Sequence, residues 1–225
     1  ESLPVWQKAQ AGASPKYVPL HYAPLADVRY IHPNASLAAA GVSASYGNKK
    51  LHLYAAAWGG WLQYSKKDGK RADTAGFIPV PGISFYKSTS SAAIVDARLR
   101  ASYKLTPHIT AEAGYDRFHI GDGYRSLWLS GQAHPYPYLR LQADVWRLQY
   151  DYALLCLNDA STQAKKHGRL HKYMALHTLS WNIGKRANLQ FFEGIVWEAR
   201  DSAGTRGIEM NYLNPVVFMR PVEFS

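Results

Sequence analysis

The sequence has a single cysteine, Cys156, so no disulfide within the chain can staple the fold. It also lacks any apolar run near the ~18 residues that a membrane-spanning helix needs. A mean hydropathy of -0.29 argues against a helical membrane protein in the same way. Methionine is scarce, at 3 residues, and acid is outnumbered: 16 Asp and Glu stand against 26 Lys and Arg, a formal net charge of +10. No Gly-x-Ser-x-Gly elbow is present, which removes one usual frame for Ser-His-Asp catalysis. The Gly121-Asp122-Gly123 stretch lacks a third glycine and a following amphipathic helix, so it does not make a dinucleotide fingerprint. His167 and His171 have a metal-ligand spacing if helical, but no third ligand lies nearby and the surrounding loop is basic. No metal and no cofactor is expected. The chain opens at Glu1 with neither an initiator methionine nor a signal-peptide pattern, and is read as a mature form or an excised piece.

What is present favours strands. Tyrosine (16) and tryptophan (7) are abundant. Both suit pleated surfaces, and both suit membrane interfaces, where one end of the ring is dry and the other wet. Mild overall polarity is compatible with a membrane barrel, because lipid-facing and lumen-facing residues alternate and average out.

The connections between β-like runs alternate in length from Ala38 onward. Tight ones are expected at Gly47-Asn48, Thr106-Pro107, around Leu148-Gln149, and at Gly184 to Ala187. Long ones run from Ser65 to Ala92, Arg117 to Pro137, Asn158 to Lys172 and Ala199 to Tyr212. Short turns at one end of a meander and long loops at the other describe an outer-membrane barrel. A soluble β-sandwich has no physical reason to segregate loop length.

The strands expected are Ala38–Tyr46, Lys49–Tyr64, Ala93–Leu105, His108–Phe118, Tyr138–Arg147, Gln149–Leu157, Tyr173–Ile183 and Asn188–Trp197, with a ninth at Val216–Arg220. Gly47-Asn48 is expected to supply the positive φ angles of a two-residue hairpin turn. Residues 1–37, rich in proline, read as an extended N-terminal segment in which Leu25 to Ile31 can pair locally; residues 38–225 read as the barrel region. Alternation is cleanest from Ala93 to Leu105. Val95, Ala97, Leu99, Ala101 and Tyr103 fall on one face; Asp96, Arg98, Arg100, Ser102 and Lys104 fall on the other. Opposite charges on neighbouring strands predict cross-strand ladders, Arg98 and Arg100 facing Glu112 and Asp116, and then Arg140 and Asp144 on the next strand. Tyr54, Trp58, Trp61 and Tyr64 read as interface-belt or strand-packing residues, and Glu112, Asp144, Glu193 and Glu198 as lumenal carboxylates held for structure rather than for glycoside hydrolysis.

The loop after the fourth of these strands, Asp116-Arg117-Phe118-His119-Ile120-Gly121-Asp122-Gly123-Tyr124-Arg125-Ser126-Leu127-Trp128-Leu129-Ser130, needs the φ freedom of glycine for a sharp reversal. Arg125 is expected to fold back onto Asp116 or Asp122. This segment resembles the signature of the Wzi-like capsule-assembly family of outer-membrane proteins, and more narrowly its Bacteroidetes branch that includes gliding-motility proteins. The resemblance extends to Val80-Pro81-Gly82, Phe85-Tyr86-Lys87 and Ala97-Arg98. It continues through Tyr173-Met174-Ala175-Leu176-His177, Ser180-Trp181-Asn182, Glu193, Trp197, Asn211-Tyr212-Leu213-Asn214-Pro215 and Arg220-Pro221-Val222-Glu223. It implies an antiparallel outer-membrane β-barrel, exported through the periplasm of a Gram-negative bacterium, with no catalytic residues. The implied role is holding or assembling surface polysaccharide, or cell-surface adhesion and motility. It gives Asp116, Gly121, Asp122, Gly123, Arg125, Ser126, Asn211, Asn214, Pro215, Arg220 and Glu223 a structural part. Family members are longer barrels, so this chain is expected to supply part of one.

Basic loop clusters supply the expected contacts to an acidic glycan: Lys66, Lys67, Lys70 and Arg71, and Lys165, Lys166, Arg169 and Lys172, with Tyr124 and Trp128 able to stack on sugar rings. The partners expected are outer-membrane lipid and acidic surface polysaccharide. Two alternatives stand beside this: a barrel subunit that docks proteins of a gliding or secretion machine, and a soluble β-sandwich lectin or hydrolase. A nucleic-acid partner is not expected, because the basic residues are spread over both rims.

Overall fold

The computed structural model describes residues 20–31, 35–68, 70, 83–88, 90–118, 129, 134–158, 171–183, 187–201, 204–205, 207–208 and 210–214. They form one antiparallel sheet that runs up and down in chain order. Its strands are β1 (His21–Ile31), β2 (Ala35–Gly47), β3 (Leu51–Gln63), β5 (Ser91–Lys104), β6 (Ile109–Asp116), β7 (Tyr136–Val145), β8 (Leu148–Asn158), β9 (His171–Asn182) and β10 (Asn188–Glu198). A short strand, β4 (Ile83–Lys87), pairs with Ala92 to Val95 of β5, in the stretch that the shorter β6 leaves open. Two two-residue strands, β11 (Arg200–Asp201) and β12 (Gly204–Thr205), make a separate ladder, and a 3-10 turn spans Met210–Leu213. The chain is therefore all-β and antiparallel, with each expected strand between Ala38 and Trp197 in place. The expected strand at Val216–Arg220 lies outside the described residues.

β1 falls within the segment expected to be extended, and it pairs with β2 along its whole length. Pro24, opposite Val42, is tolerated because β1 ends the ladder path, where a missing N–H need not serve a second neighbour.

The registers place the connections at two ends. Two-residue to five-residue links at 48–50, 105–108, 146–147 and 183–187 join strands at one end; the links at 64–90, 117–135 and 159–170 join them at the other, where the three-residue link 32–34 also falls. That is the wall arrangement of an outer-membrane barrel. Most of the strands have 10 to 14 residues, enough for the ~9–11 that cross a bilayer at a tilt.

Two turns differ from expectation. Gly47 and Asn48 do not adopt positive φ; the Asn48 side chain closes the turn, its Oδ1 accepting from the N–H groups of Lys50 (2.9 Å) and Leu51 (2.8 Å). An asparagine that caps its own turn removes the need for a left-handed pair. The tight link expected at Leu148-Gln149 is instead Trp146-Arg147, with Trp146 at φ 56°. No glycine or asparagine marks that site, so its position was hidden.

The distribution of polarity is inverted relative to a soluble sheet. On β5, Val95 and Leu99 are 41% and 58% exposed, whereas Asp96 between them and its neighbours is 1% exposed. The register carries this outward face across the strands: Val42, Leu53, Leu99, Leu139 and Val145 all lie on it and are exposed. Tyr22, Tyr46, Tyr103 and Trp181, also exposed on this face, sit near the short-turn ends of their strands. Aliphatic side chains bordered by aromatic ones are the pattern that the outer face of a membrane barrel carries.

Part of the same face is covered by the chain itself. Tyr152, Leu154, Ala175 and Trp197 are buried there, with Tyr212 and Leu213 packed against them. The Tyr152 hydroxyl donates to the Tyr212 carbonyl (2.8 Å), and the Trp197 Nε1–H to the Gly207 carbonyl (3.2 Å). Glu193 is opposite His177 on this face, so it does not line the charged side as expected. The parity of β8 explains the change: its even residues continue the outward face of odd residues on β7.

A charged lumenal face as candidate functional site

The inward face of β5 alternates so strictly that four polar side chains in succession, Asp96, Arg98, Arg100 and Ser102, emerge on one side. β6 contributes Glu112, Gly114 and Asp116 to the same side, β7 contributes Tyr136, Tyr138, Arg140 and Gln142, and β8 contributes Asp151. These groups are held away from water, and their opposite signs keep them there. A buried charge without a partner is costly, and removing one member of a pair exposes that cost.

Asp96 is the hub near the long-loop end. Its Oδ2 accepts from Arg98 Nη2 (2.8 Å) and Nε (3.1 Å), and from Arg117 Nη2 (2.5 Å). Asp116 lies 3.3 Å from Arg100 Nη2 and 3.8 Å from Arg98 Nε, and its Oδ1 accepts from the Arg117 N–H (2.8 Å). Arg100 also lies over the Tyr54 ring, 5.3 Å from its centroid. Burial, and then repulsion from Arg98, pull the Arg117 guanidinium below its ordinary pKa; attraction to Asp96 opposes both. Gly114 is opposite Arg100 and leaves room for this crowding, because a Cβ there would come within 2.5 Å of the Leu99 carbonyl.

Further along, Glu112 accepts from the Ser102 hydroxyl (2.7 Å) and the Tyr138 hydroxyl (2.7 Å), and Arg140 binds Asp151 (2.6 Å). Beside them, mainly on β7 to β9, lies an apolar cluster of Phe118, Tyr136, Tyr138, Leu155, Met174 and Leu176. The Phe118 N–H donates to the Tyr136 hydroxyl (3.0 Å), and the Phe118 and Tyr138 rings meet edge to face at 4.3 Å.

The expected ladder of Arg98 and Arg100 with Asp116 is present. Two details differ. Glu112 stands directly opposite Ser102 and binds hydroxyls instead of guanidinium groups, and Arg140, opposite Glu112, turns to Asp151 on β8. Asp144 accepts from Gln142 Nε2 (2.9 Å), its neighbour on the same face of β7. Tyr54 and Trp58 sit on the charged face, Trp61 on the outward face, and Tyr64 is buried with its hydroxyl shared between the Ser88 (2.8 Å) and Ser91 (3.0 Å) carbonyls. Only Trp61 of that group fits a membrane belt.

Of the expected glycan contacts, Lys172 is the second residue of β9 and lies 3.5 Å from Glu198 across the strand pair. Lys165, Lys166, Arg169, Tyr124 and Trp128 lie outside the described residues, as do Gly121, Asp122, Gly123, Arg125, Ser126, Pro215, Arg220 and Glu223. Asn211 belongs to the 3-10 turn, and Asn214 follows it, exposed. Sequence reasoning missed Arg117, Asp151 and Tyr138 as members of the charged face. Counting parity through β7 and β8 would have found the last two; Arg117 follows the last residue of β6 and has no such signal. Among the described residues, no group of three or more His, Cys, Asp or Glu is placed to hold a metal ion.

Comparison with known proteins adds little. No family model matches the chain, and no curated protein does. Among solved structures, OccK8 (OprE) of Pseudomonas aeruginosa is similar with a TM-score of 0.41 at 12% identity, over 79% of this chain and 54% of that one. This chain thus spans about half the length of that protein.

Proposed function

We propose that this chain forms the wall of a non-enzymatic outer-membrane β-barrel in a Gram-negative bacterium, which takes part in attaching or assembling surface polysaccharide. The observation that carries the membrane part is the inversion on β5: an aspartate almost wholly buried between two exposed aliphatic residues. In water that arrangement wastes the hydrophobic effect, since Val95 and Leu99 stay wet. In a bilayer it places hydrocarbon against hydrocarbon and ions in an enclosed interior. No helix among the described residues is long and apolar enough to cross a membrane, which leaves the strands as the elements that do so.

The polysaccharide part is supported by the resemblance to capsule-assembly proteins and by the basic, aromatic composition of the long loops. Positive side chains attract an acidic glycan, and aromatic faces orient its rings. Neutralising Lys165, Lys166, Arg169 and Lys172 together to serine is expected to weaken binding of an acidic capsular glycan and flatten its salt dependence. Unchanged binding, with the protein still in the membrane fraction, would leave the barrel and remove the glycan. Co-purification with protein partners and without glycan would favour an adhesion or motility subunit instead.

A further inference from the structure

The four short turns form a continuous rim. Lys104 N–H donates to the Lys50 carbonyl (2.8 Å), Asp144 N–H to the His108 carbonyl (2.8 Å), and Asn182 N–H to the Arg147 carbonyl (2.9 Å). The first three turns are thereby each tied to the strand end beside them. Arg147 Nη1 reaches across to the Ile183 carbonyl (3.2 Å), and its guanidinium lies 5.3 Å from the centre of the Trp146 ring. The rim is a built surface rather than a set of separate hairpin tips.

Its chemistry comes in two layers. Lys49, Lys50, Lys104 and Arg147 are all exposed at the rim. The nearby acid among the described residues, Asp144, already accepts from Gln142. Just inside the rim, on the outward face, lie Tyr22, Tyr46, Tyr103 and Trp181, and Trp146 is 80% exposed at its own turn. Aromatic rings at headgroup depth with cations immediately beyond them match an anionic bilayer surface in both respects. A soluble acidic partner would account for the cations but not for a ring of outward aromatic residues directly above an aliphatic band.

From this juxtaposition we infer that the short-turn rim binds anionic phospholipid headgroups and so fixes the depth at which the wall sits in its leaflet. The inference rests on the barrel reading. The test refolds the chain into vesicles containing brominated phosphatidylcholine or brominated phosphatidylglycerol, and measures tryptophan quenching as the proportions vary. Each basic residue near an anionic surface is worth about fivefold in association. The wild type is expected to prefer phosphatidylglycerol by at least that factor, less so as salt rises. Lys49→Gln, Lys50→Gln and Lys104→Gln combined should bring the two lipids close to parity, whereas the three corresponding arginine variants keep the preference. If the glutamine variant fails to refold, the salt titration of the wild type still decides. Equal quenching by both lipids at low salt would overturn the inference and leave the barrel standing. A preference that survives all three glutamines would place the lipid contact elsewhere. A chain that stays in the aqueous phase, quenched by neither lipid, would sink the barrel reading itself.

Discussion

Arg117 closes onto Asp96 across 21 positions of sequence, at 2.5 Å, and thereby ties the loop that leaves β6 to the middle of β5. Both side chains are buried, Asp96 fully so. The pair shares its carboxylate with Arg98, so three ions occupy a region with little water to screen them. Substitution of Asp96 by alanine strips Arg98 and Arg117 of the carboxylate that they share. A loss of about 3–5 kcal/mol is expected, read as a lower denaturant midpoint for the folded form in detergent. Combining Asp96→Leu with Arg98→Met and Arg117→Met should recover most of it, because removing all partners removes the stranded charge as well.

Gly114 and Gly59 separate crowding from mere flexibility. An added Cβ at Gly114 would meet the Leu99 carbonyl at 2.5 Å and the Tyr138 hydroxyl at 3.0 Å; at Gly59 the nearest atoms are 3.8 and 3.9 Å away. Gly114→Ala is expected to destabilise by about 1–3 kcal/mol. Gly59→Ala should be neutral or slightly stabilising. Equilibrium unfolding of the two variants side by side checks the contrast.

Leu99 tests the solvent on the outward face. Arginine there, near the middle of a strand, should cost about 2–4 kcal/mol of folding into a bilayer. The measurement is the fraction that refolds into vesicles, followed by the change in gel mobility on heating. A soluble surface would accept the same arginine without loss, so an unaffected variant would contradict the membrane reading.

Trp197 holds the segment after β10 against the outward face through its bond to Gly207 and its ring contact with Tyr212, 5.1 Å between centroids. Trp197→Ala is expected to release that segment. Limited proteolysis should then cut near residues 207–213 at least several-fold faster than in the wild type, with the sheet left intact. Tyr152→Phe, which removes the bond to the Tyr212 carbonyl, should give a smaller increase in the same direction.

Much of this was legible because the strands obey a period of two so closely. Asp96, Arg98 and Arg100 could be assigned to one face before any coordinates, and from Ala38 onward the segregation of short and long connections holds, with only the short link at 32–34, before it, falling at the long-loop end. Other features were not local. Arg140 stands opposite Glu112 on β6, and only the register with β8 shows that its partner is Asp151. Glu193 looked lumenal until the parity of β8 and β9 was fixed. β4 was hidden in a long polar loop, since five residues pairing with part of one neighbour carry almost no periodic signal. Trp146 was invisible for the opposite reason: its left-handed backbone is a role that sequence rules give to glycine or asparagine, at a cost of roughly 1–2 kcal/mol for other residues.

The count of strands along the ladder has a geometric corollary. Among the described residues nine alternate in direction from β1 to β10, so the two outermost of these point the same way. Stitching them together would create one parallel seam in an otherwise antiparallel hoop. A second copy inserted with the same orientation meets the same obstacle at every junction, since each of its borders also points that way. A cylinder with no such seam requires an odd number of additional staves between these borders.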